Sequence, residues 1–351
     1  MSTVAPTYLR LVLTLEPVPA AGSTHPRPFP APVLRGMLGK ALVDRFCPWG
    51  EPRCDPKGSN RPTTAPATTS RLKRPTSASA GAGGGTSRST PTDLCRLAEA
   101  CPYGVLFAAS RTRRPPFALF VPDDAHRATA DRGEPDRSVE LTLYGPAWTA
   151  HAWALQSLRD ALAERVGDHG GWKIAAVARV HPDRTPEPLA GSDLRALPAD
   201  LTPNLLGLAP EPFLAPAPVA VHLRSPTHLL LRGQPVPRDQ PIPFDLLVKS
   251  TLDRFAGLYG EDASPVLAKE IRPVVEAEAA KVPLLEQDVH PAEGSHLSRR
   301  SQARLDLGGT VGRLLYAPQA AAFYHLLRAA EILHIGKNPT FGCGRIQVDL
   351  A

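Results

Sequence analysis

A stretch of ten residues near the C-terminal end of the chain, GKNPTFGCGR at 336–345, combines three glycines with a lysine and an arginine. Glycine lets the backbone approach a bulky polyanion and turn its N–H groups outward, and the two cations add positive charge. Nucleotide-binding glycine loops follow a strand and open a helix, whereas this stretch follows a predicted helix and enters a predicted strand. Two interpretations remain, a polyanion-binding loop and a glycine-rich helix cap. The candidate polyanion contacts are Gly336, Lys337, Gly342, Gly344 and Arg345.

A second polar pattern lies at residues 296–306, where one face of a predicted strand carries only polar side chains. That face holds His296, Ser298, Arg300, Gln302, Arg304 and Asp306. Side chains on one face of a strand repeat every ~6.6 Å, close to the spacing of successive phosphates along a single-stranded nucleic acid. Arg300 and Arg304 can follow a phosphate backbone while Gln302 contacts a base or a sugar. An ordinary solvated sheet face is the alternative.

Four of the five cysteines flank residues 56–92 in two pairs, and the fifth, Cys343, lies in the glycine-containing stretch. Four thiolates can close a tetrahedral structural zinc site. The spacings are looser than those of paired CxxC motifs, so buried thiols without a metal are the alternative. An odd number of cysteines is unusual for a disulfide framework. The candidate zinc ligands are Cys47, Cys54, Cys95 and Cys101.

The composition is typical of a globular protein, with 42% hydrophobic and 21% charged residues and a formal net charge of +6. Residues 56–92 contain six basic residues and no acidic one, so 34 basic and 34 acidic residues remain elsewhere. This segment is rich in Ser, Thr, Gly, Pro and Ala and is predicted to be a disordered insertion. The sequence lacks an apolar run of 18 residues and a signal-peptide pattern, so we expect a cytoplasmic protein with no membrane partner.

The order of predicted elements in the first half is strand, helix, strand, strand, helix, strand. These elements are expected at 8–15, 32–46, 116–121, 139–144, 147–166 and 172–180. This is the ferredoxin-like order. We therefore predict an N-terminal ferredoxin-like domain over residues 1–181, interrupted by the disordered insertion at 56–92.

A Pro-rich aperiodic stretch at 182–215 is predicted to be a linker, after which the same order begins again. The expected elements are a strand or hairpin at 218–231, a strand at 345–350, helices at 244–258 and 318–335, a polar helical stretch at 263–281, and one long strand or a hairpin bent at Gly308-Gly309 over 296–316. The predicted fold class is thus α+β, with a second ferredoxin-like domain over residues 216–351.

Several motifs resemble those of one protein family. The C-terminal LLRAAEILHIGKNPTFGCGRIQV resembles the glycine-rich motif of the RAMP superfamily of CRISPR-associated proteins. The segments VLRGMLGKALVDRFCP, CPYGVLF and SRRSQARLDLGGTVGRLLYA are similar to its precursor-crRNA-processing endoribonuclease branch. The resemblance implies tandem ferredoxin-like domains, CRISPR repeat RNA as substrate, and cleavage without a metal or other cofactor that leaves a 2′,3′-cyclic phosphate. A catalytically inactive RAMP subunit that binds crRNA among the subunits of an effector complex is the alternative.

Cleavage by 2′-hydroxyl attack needs a proton acceptor and a donor with a pKa near neutrality, so histidines are the first candidates. The resemblance implies a catalytic histidine near the first helix, and His25 is the only histidine in the first 125 residues. His296, at the start of the polar strand face, is the other candidate. Lys40, Arg299 and Arg300 can stabilise the charge of the phosphorane, and both arginines are also candidate RNA contacts.

Overall fold

The computed structural model describes ten stretches of the chain. They are 6–18, 29–47, 100–107, 114–122, 137–164, 171–189, 217–231, 233–237, 240–297 and 304–351. The predicted disordered insertion at 56–92 and most of the predicted linker lie outside these ranges. Within them, no helix combines the length and the apolar character needed to span a bilayer.

The N-terminal unit is a five-stranded antiparallel sheet with helices packed on one face. Its strands are β1 (Tyr8–Pro17), β2 (Phe117–Phe120), β3 (Ser138–Tyr144), β4 (Trp172–Val180) and β5 (Pro186–Pro188). Its helices are α1 (Ala31–Phe46), α2 (Pro102–Phe107) and α3 (His151–Ala163), the last preceded by a 3₁₀ turn at Gly145–Ala150. The strand order is β2-β3-β1-β4-β5. The first four strands therefore form the predicted ferredoxin-like sheet.

The alternation of side chains along β1 shows that this sheet is buried on both faces. Leu9, Leu11 and Leu13 are fully buried in the core beneath the helices. Because successive strand residues point to opposite faces, Tyr8 and Arg10 lie on the other face. Both are also buried, because the C-terminal unit covers that face.

The C-terminal unit repeats the arrangement with a four-stranded antiparallel sheet in the order β13-β6-β12-β9. Its main strands are β6 (Val219–Thr227), β9 (Leu284–Ala292), β12 (Gly309–Tyr316) and β13 (Ile346–Leu350). Its helices are α4 (Phe244–Tyr259), α5 (Arg272–Ala279) and α6 (Tyr324–Leu333), the last after a 3₁₀ turn at Pro318–Phe323. The strand pairs β7 (Leu230–Leu231) with β8 (Gln234–Pro235), and β10 (Ser295–Leu297) with β11 (Arg304–Asp306), form two small hairpins beside this sheet. Two ferredoxin-like folds in tandem are confirmed.

The structure differs from the predicted elements at the short helix α2, which was not predicted, and in three further places. The single polar strand expected at 296–306 is instead two short antiparallel strands, β10 and β11, so its assumed parity is wrong. The strand β9 was not predicted, because charged and polar residues interrupt its apolar alternation at an exposed edge. Pro186–Pro188, inside the predicted linker, pairs with β4 and extends the first sheet.

Candidate nucleic-acid interface

The glycine loop, defined as residues 336–345, leaves the end of α6 and returns as β13, and its glycines allow very close backbone packing. A Cβ atom at Gly336 would lie 2.7 Å from the carbonyl oxygen of His228, and one at Gly344 would overlap the carbonyl oxygen of Ile335. Both glycines have positive φ angles, +80° and +78°. Glycine adopts this conformation without the steric cost that a Cβ brings. The fold of the loop therefore requires these glycines.

Several backbone N–H groups of this loop form hydrogen bonds with other groups of the protein. Those of Lys337, Gly342 and Gly344 donate to backbone carbonyl oxygens at 3.3, 3.2 and 3.1 Å. The expectation that the glycines turn their N–H groups outward to a polyanion is therefore wrong at Gly342 and Gly344. The exposed side chain of Lys337 is the part of the loop that can reach a phosphate.

The loop packs against the N-terminal unit at the start of α1. The Nε of Arg35 donates a hydrogen bond to Oγ1 of Thr340 at 3.2 Å. Its guanidinium also lies over two aromatic rings, 4.4 Å from the centroid of Phe341 and 5.2 Å from that of Phe107. Such cation–π contacts hold a planar guanidinium in a fixed orientation. Arg35 was not among the predicted site residues, although it belongs to the motif that carries the family resemblance.

His296 reaches this junction from the hairpin β10–β11. Its ring centroid lies 5.7 Å from that of Phe341, and the residue is partly buried. His296 pairs with Leu305 across the hairpin, which places Arg304 on the opposite face. There Arg304 is exposed and donates to Oγ of Ser295 at 2.9 Å. The structure therefore brings His296, but not Arg304, to the glycine loop.

The other predicted hairpin contacts, Arg299, Arg300 and Gln302, lie outside the described residues, as does His25. Lys40 is exposed on α1 and forms an ion pair with Asp44 one turn further along, at 2.5 Å. This partner is on the same helix, so the structure gives Lys40 no contact with the glycine loop.

The predicted zinc ligands are only partly covered by the structure. Cys47 follows the end of α1 and Cys101 precedes α2, and both pack at the edge of the same apolar core. Cys54 and Cys95 lie outside the described residues. Among those described, no group of three or more His, Cys, Asp or Glu side chains is arranged to hold a metal. Cys343 is buried, and burial raises the pKa of its thiol to about 12, as expected for a packing residue.

A buried cluster of charged side chains, which sequence reasoning missed, joins the two units behind the loop. Glu140 of β3 lies at its centre, with Oε2 2.7 Å from Nη2 of Arg10 on β1. Its other oxygen, Oε1, lies 3.2 Å from Nε of Arg345 and 3.6 Å from Nε2 of His334. Arg345 is thus engaged in the interior, and its role as an RNA contact remains a prediction.

The electrostatics of this cluster depend on Glu140 remaining ionised. Burial alone would raise its pKa, but the charges of Arg10 and Arg345 and the adjacent His334 outweigh burial and hold the pKa of Glu140 well below its ordinary value. His334 is fully buried, and this burial lowers the pKa of its ring despite the nearby carboxylate. The cluster therefore contains one carboxylate, two guanidinium groups and a neutral imidazole at pH 7.

Glu140→Gln is expected to lower the free energy of unfolding by about 3 kcal/mol at pH 7, because it leaves two buried arginines without their carboxylate. The folded-state pKa of Glu140 is depressed, so its stabilisation is present above the unfolded value of about 4.5 and is lost as pH falls through the folded value. Urea unfolding at several pH values should therefore show that the difference in the free energy of unfolding between parent and variant narrows as the pH falls below about 4.5. Asp44→Asn, which breaks an exposed ion pair, is the control and should change the free energy of unfolding little. A difference between the parent and Glu140→Gln that stays constant across pH would contradict this account.

A second ion-pair group extends the junction along α6. Nη2 of Arg184 lies 2.5 Å from Oε1 of the buried Glu331, and Nη1 of the same arginine lies 2.8 Å from Oδ1 of Asp349. Arg328 pairs with Glu331 as well and donates to the carbonyl oxygen of Pro182 at 2.6 Å. The segment after β4 is therefore fastened to the C-terminal unit by charge.

Comparison with known proteins agrees with this architecture. Residues 221–346 match the family model described as CRISPR-associated endoribonuclease Cas6. A Thermus thermophilus Cas6 structure has a TM-score of 0.51 and 13% identity, with 99% of this chain and 100% of that chain covered. A partial Cas6-RT-Cas1–Cas2 complex has a TM-score of 0.51 and 12% identity over 99% of this chain and 46% of the longer chain. No curated protein matches the chain in sequence.

The two ferredoxin-like units with a glycine loop packed between them are the arrangement that the sequence resemblance implied. At 12–13% identity the solved structures establish the fold, whereas the family model covers β6 to β13 and includes the glycine loop and both strands of the hairpin. This match confirms the resemblance expected from the sequence. It extends over most of the C-terminal unit, which is therefore similar to the Cas6 family model.

Proposed function

We propose that the protein is an endoribonuclease that cuts precursor crRNA within the CRISPR repeat. The family-model match over residues 221–346 is the observation that carries the proposal, because it spans the glycine loop and the hairpin that together with α1 form the junction between the units. The proposed partners are CRISPR repeat RNA, its crRNA product and other subunits of a CRISPR complex, in the cytoplasm.

The geometry of the junction supplies several groups suited to this reaction. His296 and Arg35 both contact Phe341, so an imidazole and a guanidinium lie against the same ring. His25 precedes the buried Phe29 by four residues, a span of no more than ~14 Å when fully extended. Phe29 in turn lies two residues before the start of α1, where the Cβ of Ala31 lies 2.7 Å from a Cβ placed on Gly342. His25 itself lies outside the described residues, and its place in the site is proposed from its position in the sequence.

The reaction follows from these groups. A neutral histidine removes the proton of a 2′-hydroxyl, and the resulting oxygen attacks the adjacent phosphorus. The bond from phosphorus to the 5′-oxygen breaks, a protonated group supplies the proton to that oxygen, and the products are a 2′,3′-cyclic phosphate and a 5′-hydroxyl. Arg35, held by its two aromatic contacts, and Lys337 can stabilise the negative charge of the phosphorane. No external nucleophile has to be generated, so no step requires a metal.

A binding protein without catalytic activity is the competing function. One observation favours it: of the predicted catalytic residues that the structure describes, Lys40 pairs with Asp44 and only His296 lies at the glycine loop. Such a subunit would retain the fold and bind the repeat without cutting it.

Incubation of the purified protein with repeat RNA in excess EDTA distinguishes the two functions. We expect one cut within the repeat and an upstream fragment that ends in a 2′,3′-cyclic phosphate. A scrambled RNA of the same composition is the control and should remain intact. A gel shift with the repeat RNA but no product would overturn the enzymatic proposal and support the binding subunit.

The proposed zinc site is separate from this chemistry and remains a prediction. Cys47 and Cys101 lie at the two ends from which residues 48–99 leave and re-enter the described structure. A structural zinc bound by these two cysteines together with Cys54 and Cys95 would hold the two ends of residues 48–99 together. Metal content far below one equivalent in protein purified without chelator would exclude it.

A further inference from the structure

A polar cavity of the C-terminal unit lies beside the glycine loop. It has a volume of about 760 Å³ and opens between β6–β8 and the hairpin β10–β11. This volume falls within the range of small-molecule sites, roughly 300–1,000 Å³. Three of its lining side chains, Leu229, Val236 and Ile242, are apolar and are buried or partly buried in the core. They provide a surface on which a flat ring can pack.

The rest of the lining carries hydrogen-bonding groups of several kinds. His228 belongs to the lining, although its Nε2 atom is itself inaccessible to solvent and has no hydrogen-bond partner within the described part of the chain. Asp306 accepts the N–H of Gly308 on Oδ1 at 2.8 Å, which leaves its second oxygen for a ligand. Glu293 adds a carboxylate and Arg304 a guanidinium at the exposed side. The cavity can therefore accept and donate hydrogen bonds and also hold one negative charge.

This combination fits a nucleotide better than the other common ligands. Carboxylates accept hydrogen bonds from exocyclic amines such as that of cytosine, and an arginine suits a phosphate. A purely apolar ligand would leave the carboxylates unpaired, at a cost in desolvation. We infer that the cavity binds one unstacked nucleobase that carries an exocyclic amine, adenine or cytosine, with its phosphate at Arg304. The inference rests on the proposed function, since the base would belong to the bound RNA.

The cavity also shares its walls with the glycine loop. The carbonyl oxygen of His228 accepts the N–H of Lys337 at 3.3 Å. On the opposite wall, the carbonyl oxygen of Asp306 accepts a hydrogen bond from Nδ2 of Asn338 at 3.2 Å. His228 and Asp306 each line the cavity and are each hydrogen-bonded to the glycine loop. A base held in the cavity would therefore be separated from the loop by a single residue at both places. The nucleotide recognised here would lie next to the strand that passes the junction and would fix its register.

The test combines a plugged cavity with RNA that lacks single bases. Ser295 is exposed and lines the opening, so Ser295→Trp should fill it, whereas Leu285→Trp changes an exposed site on β9 outside it. For the parent, an abasic nucleotide at one repeat position should weaken binding about tenfold, the scale of one base–protein contact. Ser295→Trp should bind intact RNA about tenfold more weakly and lose the abasic effect at that position. Leu285→Trp and the parent should behave alike, and melting curves confirm that both variants fold.

Two results would overturn the inference. One is an abasic effect that persists undiminished in Ser295→Trp, and the other is a repeat with no sensitive position. Equilibrium dialysis with 5′-AMP and 5′-CMP tests whether the ligand is a free nucleotide and not a base of the RNA. If either nucleotide binds the parent but not Ser295→Trp, and no repeat position is sensitive to an abasic substitution, the cavity is a site for free nucleotides. Cleavage of intact repeat RNA, measured in parallel, reports on the proposed function independently of the cavity.

Discussion

Gly344→Ala is expected to prevent the glycine loop from forming and to lower the free energy of unfolding by at least about 4 kcal/mol, beyond the range of most single substitutions. The backbone at Gly344 has φ +78°, where a side chain is strained, and a Cβ atom there would overlap the carbonyl oxygen of Ile335. That oxygen belongs to rigid backbone, because the N–H of Ile335 is itself bound to the carbonyl oxygen of Gly344 at 2.9 Å. Neither partner can move without breaking the loop closure.

Urea unfolding of the full chain measures this effect, and Gly36→Ala is the matched control. Gly36 is exposed on α1, and a Cβ atom there would meet nothing within 4 Å. Alanine is the better helix former, so the control should be more stable by up to about 1 kcal/mol. A Gly344→Ala protein that unfolds at the parental urea concentration would show that the loop does not have the described conformation.

The glycine loop shows how far the sequence could predict the site. Its position between a helix and the last strand was predicted correctly, because the helix pattern and Gly336 just past its end are local signals. The reason for its glycines was not, since the contact of Gly336 with His228 joins distant parts of the chain and that of Gly344 with Ile335 depends on how the loop closes. A glycine pattern alone cannot distinguish close approach to a ligand from close approach to the protein itself.

His25→Ala is expected to slow cleavage of repeat RNA by a factor of about 10² to 10⁴, the contribution typical of a general base. RNA affinity should hardly change, because a neutral imidazole contributes little to phosphate binding. Single-turnover rates at saturating protein measure the effect, with His290→Ala as control because that histidine is exposed on the edge strand β9. His296→Ala tests the other candidate, whose ring packs against Phe341.

The results for His25→Ala and His296→Ala together assign the general base. A large rate loss in His25→Ala with unchanged binding supports His25, and the same loss confined to His296→Ala would transfer the role to the hairpin. Near-parental rates in both variants would contradict a base at either position.

The tandem fold was predictable because both units follow strong local patterns. The alternating leucines of β1 and the apolar stripe of α1 indicate their elements directly. The hairpin at 295–306 was mistaken for one strand because polar alternation is compatible with both. Its pairing, Ser295 with Asp306, is visible only in three dimensions.

The buried cluster around Glu140 escaped prediction for a related reason. Arg10 and Glu140 alternate with apolar residues along β1 and β3, a pattern that normally indicates a solvent-facing side. The C-terminal unit covers this side, and Arg345 and His334 complete the cluster from more than 190 residues away in the chain. Only the adjacent apolar aromatics Tyr8 and Tyr144 on the same face could have indicated burial.

The central claim is that this protein cuts RNA by attack of a neighbouring 2′-hydroxyl. The most direct test is a repeat RNA with a single 2′-deoxy nucleotide immediately upstream of the mapped cut, compared with the all-ribose RNA in excess EDTA. We predict that both RNAs bind equally, that the all-ribose RNA yields a 2′,3′-cyclic phosphate, and that the substituted RNA is not cut at that position. Cleavage of the substituted RNA at the parental rate would contradict the account.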